Sequence, residues 1–136
     1  MSGQRNTFRR WIGSAGWGLL LLLGLPAASS ALAASSLDML GRTVAVPDRP
    51  LRLVTLAPSL TEIVFALDRG DWVVGVSEAC DFPLPARSRP KVGGIAAPNL
   101  EQIARLAPDL VFASAEANTR ETLSRLDRLR VPVFAV

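Results

Sequence analysis

Two side chains of the nucleophile type, Ser59 and Cys80, are the first candidates for chemistry in this sequence. Each needs a general base, most often an imidazole, to become reactive, and the 136 residues contain no His. Ser59 also begins a Ser-Leu-Thr-Glu sequence that is typical of a helix N-terminus. We therefore predict that Ser59 is a helix cap and that Cys80 is a small packed side chain rather than a reactive thiol.

The other residue patterns that could support catalysis carry little information. Glu78 and Asp81 could form a pair of carboxylates, but this spacing is equally typical of solvated loop residues. Dinucleotide binding requires a glycine-rich turn between the first strand and its helix, and that turn contains Ala57 and Pro58 instead. Gly93-Gly94 is not followed by the Gly-Lys-Ser/Thr of a phosphate loop. The sequence therefore does not support an enzyme.

Residues 1–33 have the pattern of a cleaved secretory signal peptide. Three arginines precede an apolar stretch over residues 11–25, and an Ala-Leu-Ala cleavage pattern ends at Ala33. The apolar stretch has about 15 residues, fewer than the ~20 that a membrane-spanning helix needs. We expect export to the periplasm, cleavage near Ala34 and a mature protein that is not embedded in the membrane.

The distribution of charge argues against a nucleic-acid partner. The chain carries 15 Lys and Arg against 12 Asp and Glu, a formal charge of +3. Three of the basic residues lie within the first ten and no acid precedes Asp38, so residues 34–136 carry equal numbers of both signs. A nucleic-acid-binding domain needs a basic patch, and residues 34–136 have no excess of positive charge to form one.

Predicted strands alternate with predicted helices along residues 34–136, after a short hairpin at 37–46. Continuous apolar runs are typical of strands that are buried on both faces of a parallel sheet. Short polar sequences of the capping type predict where the helices begin, and Gly70 is expected to end the first of them. The strands are predicted at 51–56, 72–76, 110–113 and 131–136, and the helices begin at Ser59, Asn99 and Asn118.

This alternation predicts an α/β fold, with a parallel sheet of about four strands covered by helices on both faces. Right-handed crossovers place every strand-to-helix loop at one edge of the sheet. Ligands of such sheets bind outside the carboxyl ends of the strands. The loops at 57–59, 77–81 and 114–118 should therefore share one edge, with 93–98 close by.

Five segments of the sequence, taken in order, resemble one family. They are Arg52-Leu-Val-Thr-Leu-Ala-Pro-Ser-Leu-Thr-Glu62, Gly75-Val-Ser-Glu-Ala-Cys-Asp-Phe-Pro83, Lys91-Val-Gly-Gly94, Asn99-Leu-Glu101 and Ala107-Pro-Asp-Leu-Val111. This series resembles the periplasmic binding proteins for vitamin B12, haem and iron siderophores. The Leu-Ala-Pro-Ser-Leu-Thr-Glu form is typical of the cobalamin-binding branch, and Gly41-Arg-Thr43 is similar to the hairpin that often precedes it. The resemblance covers nearly all of residues 34–136.

The resemblance implies a two-lobed protein whose lobes are joined by one long helix. Such proteins hold their ligand between the lobes and deliver it to the permease subunits of an ABC importer. Residues 34–136 would then form the N-terminal lobe and the C-terminal lobe would be missing, so we expect a truncated form. The resemblance places ligand contacts at Pro58, Ser59, Ala79, Ile95 and Ser114, and permease docking at Glu101.

Glu101 also has a purely structural interpretation. It falls near the start of the helix that Asn99 opens, where the helix dipole favours a carboxylate. The sequence does not choose between this role and the docking role that the resemblance implies.

The ligand class is narrowed by residue types that the chain lacks. Carriers of zinc or manganese use imidazole and carboxylate ligands, and haem carriers usually supply an axial Tyr or His; this chain has neither His nor Tyr. A corrinoid or a ferric siderophore brings its own metal ligands, so we predict no cofactor and no metal site. The prediction is a non-catalytic binding protein for cobalamin or another corrinoid. The alternatives are a ferric-siderophore-binding protein, a small α/β enzyme and a stand-alone interaction module.

Overall fold

A computed structural model describes residues 33–136 of the chain. The predicted signal peptide lies outside the described residues, except for Ala33 at its end. Within residues 33–136, no helix is both long enough and apolar enough to cross a bilayer.

The described chain begins with a two-stranded antiparallel hairpin. Strand β1 (Ala33–Leu37) pairs with strand β2 (Thr43–Pro47) over all five positions. The turn between them contains Gly41 at a φ of +74°, a backbone conformation that favours glycine. The predicted hairpin spans residues 37–46, so its first strand begins earlier than expected. The Ala-Ala-Ser-Ser run has no alternating apolar pattern, and pairing with β2 is what makes it a strand.

The predicted parallel sheet is confirmed. Its four strands pair only in parallel, in the order β4-β3-β5-β6, so the chain crosses from the β4 edge back past β3 to β5. The observed strands are shorter than predicted at three places, because the flanking residues lie in bends, in a 3-10 turn or in irregular backbone. The strands are β3 (Leu53–Thr55), β4 (Val73–Val76), β5 (Leu110–Ala113) and β6 (Val133–Ala135).

Helices cover both faces of this sheet, as predicted. On one face, Val64 of the first helix packs with Leu53 and Leu110 of the sheet. On the other face, Ile103 and Leu126 of the later helices belong to a larger core cluster. Leu53 and Val54 are adjacent in β3 and lie in different clusters because successive strand residues point to opposite faces. The helices are α1 (Pro58–Ala66), α2 (Leu84–Arg87), α3 (Leu100–Arg105) and α4 (Arg120–Arg128), with a 3-10 turn at Gly70–Trp72.

The start of α1 differs from the prediction. Ala57 is the N-cap residue, Pro58 is the first helical residue, and no side chain caps the helix. Ser59 is therefore the second helical residue, and its predicted role as a cap is wrong. Proline is favoured at the first helical position because its fixed φ suits the helix and it has no N–H to leave unpaired. That preference moves the start of α1 ahead of the serine.

The end of α1 also differs from the prediction, because Gly70 is not its cap. The left-handed position is filled by Asp68, whose φ is +56°. The Asp68 N–H donates to Phe65 O and the Arg69 N–H donates to Val64 O, both at 3.0 Å, which is the Schellman pattern. Gly70 has a packing role instead, since a Cβ atom there would collide with the Phe65 ring.

Candidate functional site

Four loops meet at the carboxyl edge of the sheet, and we call them together the rim: residues 56–59, 77–82, 93–98 and 114–118. Hydrogen bonds join one loop to the next. The Ser77 N–H donates to Thr55 O at the end of β3 (3.0 Å), and the Glu78 N–H donates to Gly93 O (2.9 Å). The predicted juxtaposition of these loops is thus observed, and the bonds hold them in one arrangement.

Asn118 organises the loop that follows β5. Its Oδ1 accepts a hydrogen bond from the Ser114 N–H (2.7 Å), and its Nδ2 donates to Ile95 O (2.6 Å). The Ser114 hydroxyl in turn accepts from the Ala117 N–H (3.2 Å). Only 4% of Asn118 is exposed. This one buried amide therefore joins two rim loops.

Sequence reasoning missed this role of Asn118, which is predicted there to open α4. Thr119 is the actual N-cap, and its side chain accepts from the Thr122 N–H. The bond from the Ser114 N–H reaches Asn118 from four residues earlier, so it is not the Asx turn, to the backbone two residues on, that a local pattern would indicate. Neither this bond nor the bond to Ile95 is visible in the sequence.

Beneath the rim lies a buried cluster of three hydroxyls and one thiol, which we call the thiol cluster: Thr55, Thr61, Ser77 and Cys80. All four residues are fully buried. Thr55 Oγ1 and Thr61 Oγ1 are 2.7 Å apart, the Thr61 hydroxyl lies 3.0 Å from Cys80 Sγ, and Ser77 Oγ lies 3.1 Å from the same sulfur. The thiol cluster therefore connects β3, α1 and the 77–82 loop. The prediction that Cys80 is a packed side chain is confirmed.

Two cationic side chains donate hydrogen bonds to backbone carbonyls of the 77–82 loop. Lys91 Nζ donates to Cys80 O (2.5 Å), and Arg87 Nε donates to Asp81 O (2.8 Å). Each bond satisfies a backbone carbonyl that the loop conformation leaves without a partner in a sheet or helix. Together with the thiol cluster, these bonds fix the path of the backbone on either side of Ala79.

Gly93 is required by its position in the third rim loop. Its φ is +90°, and a Cβ atom there would lie 2.8 Å from the Asn99 backbone nitrogen. A side chain would therefore be strained by its backbone conformation and would also displace the start of α3. Gly94 has open space around it.

The five predicted ligand contacts all lie on the rim, one or two on each loop. Pro58, Ile95 and Ser114 are half-buried, whereas Ser59 and Ala79 are exposed. Their side chains are small apart from that of Ile95, so a large flat ligand can approach the backbone closely. Their role as contacts stays a prediction.

Glu101 lies in the first turn of α3 and is exposed. Asn99 is the N-cap of this helix, as predicted, and its side chain accepts from the Gln102 N–H at 3.0 Å. Glu101 Oε1 forms an ion pair of 2.7 Å with Arg105, one turn further along. Beside it, between α3 and α4, is a cleft of about 390 Å³ that is lined in part by Ala104 and Leu129.

The hairpin is joined to α4 by an ionic network outside the rim. Arg42 Nε donates to Asp38 Oδ2 (2.8 Å), and Arg42 Nη1 donates to Asp127 Oδ2 (2.9 Å). Burial of the Asp38 carboxyl raises its pKa. Hydrogen bonds from the Arg42 backbone and side chain, together with the charge of that guanidinium, lower the pKa by a larger amount. The net result is a pKa of Asp38 below its ordinary value.

No group of three or more Cys, Asp or Glu side chains within residues 33–136 is arranged to hold a metal ion. The thiol cluster contains one sulfur and neutral hydroxyls, and it is closed to solvent. What the described rim offers a ligand is backbone, small side chains, carboxylates and two larger apolar side chains, the exposed Phe82 and the half-buried Ile95.

Several known proteins are similar to this chain. The sequence profile of the periplasmic binding protein family matches residues 53–136. The vitamin B12-binding protein of Vibrio campbellii is 36% identical over 83 residues, which are 61% of this chain and 30% of that protein. The crystal structure of the periplasmic vitamin B12 binding protein BtuF of Vibrio cholerae is similar with a TM-score of 0.60 and 35% identity, over 63% of this chain and 34% of BtuF.

A second solved structure is the molybdate periplasmic binding protein MolA, which is cognate to an ABC transporter of Haemophilus influenzae. It is similar with a TM-score of 0.70 and 25% identity, over 76% of this chain and 34% of MolA. The chain thus spans about a third of the length of each of these three proteins.

Proposed function

This chain belongs to the periplasmic binding protein family, and from that membership we propose that it captures cobalamin or another corrinoid and delivers it to the permease of an ABC importer. The observation that carries the proposal is the rim, where four loops at the carboxyl edge of a parallel sheet are bonded into one surface. The names of the Vibrio relatives support vitamin B12 as the ligand. The ABC transporter to which MolA is cognate supports an ABC transporter as the partner.

The rim would bind by shape and apolar contact. We propose that Pro58, Ala79, Ile95 and Ser114 contact the corrin ring, with Ser59 at the margin. The thiol cluster and Asn118 hold these positions before the ligand arrives, so less conformational entropy is lost on binding than for mobile loops. The cobalt ion arrives with its own ligands, and the protein needs to supply none.

Binding without turnover is part of the proposal. The family and the named relatives are binding proteins. Ser59 is exposed on α1, and Cys80 is buried among hydroxyls rather than beside a base. Neither is arranged as an activated nucleophile. Incubation with a corrinoid should therefore return the corrinoid unchanged, whereas a small α/β enzyme would produce a new species.

The ligand is best followed by its own absorbance. Trp72 is the only tryptophan after residue 33, but it lies in the 3-10 turn before β4, at the opposite edge of the sheet from the rim. Its indole also contacts Arg69, whose guanidinium carbon lies 4.9 Å from the ring centre. Equilibrium dialysis that measures the absorbance of cyanocobalamin does not depend on this distant tryptophan.

A bulky substitution on the rim tests the site. Ala79→Arg should weaken cyanocobalamin binding by at least about ten-fold, because the side chain would occupy the ligand's volume at a cost above ~1.4 kcal/mol. Ala66→Arg is the matched control, since Ala66 is also exposed but ends α1 at the opposite edge. Equal affinity in both variants would show that the ligand does not bind at the rim.

Permease docking through Glu101 belongs to the same proposal. The Glu101–Arg105 ion pair is formed between two largely exposed side chains, 76% and 71% accessible. Such surface pairs contribute about 0–1 kcal/mol, so an arginine of a partner could displace Arg105. Charge-assisted pairs of this kind fix orientation as well as affinity.

A further inference from the structure

The rim loops carry carboxylates and no basic residue. Glu78, Asp81 and Glu116 are its three charged side chains, and all are exposed. The remaining rim residues are neutral, and most of them are Ala, Gly, Ser or Pro. An anionic ligand placed against this edge would meet three negative groups.

Several cationic side chains lie beside the rim loops. Lys91 and Arg87 lie beside the 77–82 loop, where they donate to the carbonyl oxygens of Cys80 and Asp81. Arg120 begins α4 just after the rim, and Arg125 of the same helix lines a cleft with Ala96, Ala97 and Pro98 of the 93–98 loop. None of these cations belongs to a rim loop.

Side-chain recognition of a multiply charged anion uses guanidinium or ammonium donors aimed at the ligand. From the absence of such donors on the described rim loops, and from the three exposed carboxylates, we infer that this site selects ligands without net negative charge. This inference rests on the proposed function and specifies its substrate class. The site accepts neutral or cationic metal complexes, such as amide-bearing corrinoids and ferric hydroxamates, and rejects corrin acids and ferric catecholates.

The test compares ligands that share a ring but differ in charge. The chain, purified as secreted, is dialysed against dicyanocobinamide, which is neutral overall and carries amides, and against dicyanocobyrinic acid, whose corrin ring carries free carboxylates in their place. We expect the acid to bind at least about ten-fold more weakly at low ionic strength, with the difference shrinking in ~1 M salt as the carboxylates are screened. A neutral ferric hydroxamate and a ferric tris-catecholate trianion form a second pair with the same expected order.

Variants connect this preference to the rim. The combined substitutions Glu78→Gln, Asp81→Asn and Glu116→Gln should reduce the discrimination between the two corrinoids by at least three-fold, roughly what removal of a few screened charges allows. Asp68→Asn is the control, because Asp68 is an exposed acid at the far end of α1 and Asn tolerates its left-handed backbone. It should leave the discrimination unchanged.

The outcomes separate this inference from the proposed function. If the acidic ring or the catecholate binds as tightly as its neutral counterpart, the charge inference is wrong and the proposed capture of a metal complex stands. If the triple variant and the control behave alike, the rim carboxylates do not set the preference and the inference is again wrong. If no probe binds at ~1 mM, a level that corresponds to only about −4 kcal/mol, the proposed function itself fails for this chain.

Discussion

Removing one hydroxyl from the thiol cluster should destabilise the fold measurably. In Thr61→Val the side-chain shape is kept, but the atom that lies between Thr55 Oγ1 and Cys80 Sγ is removed. The Thr55 hydroxyl is fully buried and loses the partner that lies 2.7 Å away. Cys80 Sγ retains Ser77 Oγ at 3.1 Å. One buried polar group is thus left unsatisfied.

An unsatisfied buried group costs about 1–3 kcal/mol, so we expect the free energy of unfolding to fall by about 2 kcal/mol. Thr61→Ser keeps the hydroxyl and removes one methyl group, which should cost only about 1 kcal/mol. Thr43→Val, at an exposed position in β2, should change stability by less than about 0.5 kcal/mol. Comparison of the three variants separates the effect of losing the buried hydroxyl from the effect of losing a methyl group and from the effect of a Thr→Val substitution at an exposed position.

Urea denaturation followed by far-UV circular dichroism measures these differences as shifts of the midpoint at constant m-value. The thiol of Cys80 gives a second readout, since it should react faster with a thiol reagent in Thr61→Val than in the parent chain. Two results would contradict the role of the thiol cluster in holding α1 to the 77–82 loop. One is a Thr61→Val variant as stable as Thr43→Val, and the other is a Thr61→Ser variant that is less stable than Thr61→Val.

Four further outcomes can be measured. The secreted product should begin near Ala34 by intact-mass analysis, and retention of residues 1–33 would contradict the predicted export. The lowered pKa of Asp38 contributes stability above its unfolded pKa of ~3.9, and this should be lost as pH falls through the lower folded value; Asp38→Asn should abolish that loss in acid titrations of unfolding. Gly93→Ala should destabilise by about 1–3 kcal/mol in urea, because of its φ of +90° and the close Asn99 nitrogen. In a full-length relative that carries this lobe, Glu101→Arg should weaken permease binding and leave cyanocobalamin affinity unchanged; the reverse pattern would make Glu101 a structural residue.

Affinity also depends on how much of a binding protein is present. The chain spans 30% of the Vibrio campbellii vitamin B12-binding protein, so it offers part of the ligand-binding surface that a longer relative can provide. We expect it to bind cyanocobalamin far more weakly than that protein, because a smaller interface gives a less favourable binding free energy while the entropic cost of association stays similar. Equal affinity in parallel dialysis experiments would show that the additional surface of the longer protein does not contribute to binding.

The sequence by itself determined the fold class and the kinds of chemistry available. Continuous apolar runs separated by amphipathic segments favour buried parallel strands with crossover helices, because that arrangement buries both patterns. Leu110–Ala113 is predicted to the residue because its apolar run coincides with the strand. The missing imidazoles and the balanced charge of residues 34–136 are likewise properties of composition. These features are local or additive, so they can be inferred without coordinates.

Tertiary structure decided the details of the rim. The sequence motif at Ser59 did not show that Pro58 would begin α1, because capping preferences compete and the outcome depends on how the chain leaves β3. Cys80 meets Thr61, 19 residues earlier, and Asn118 meets Ile95, 23 residues earlier. Such bonds depend on strand order and on the separation of loops in space, and no local pattern encodes them. The spacing of residues along the chain located the edge of the sheet where a ligand is expected to bind, and only packing between distant segments determined which side chains hold that edge in place.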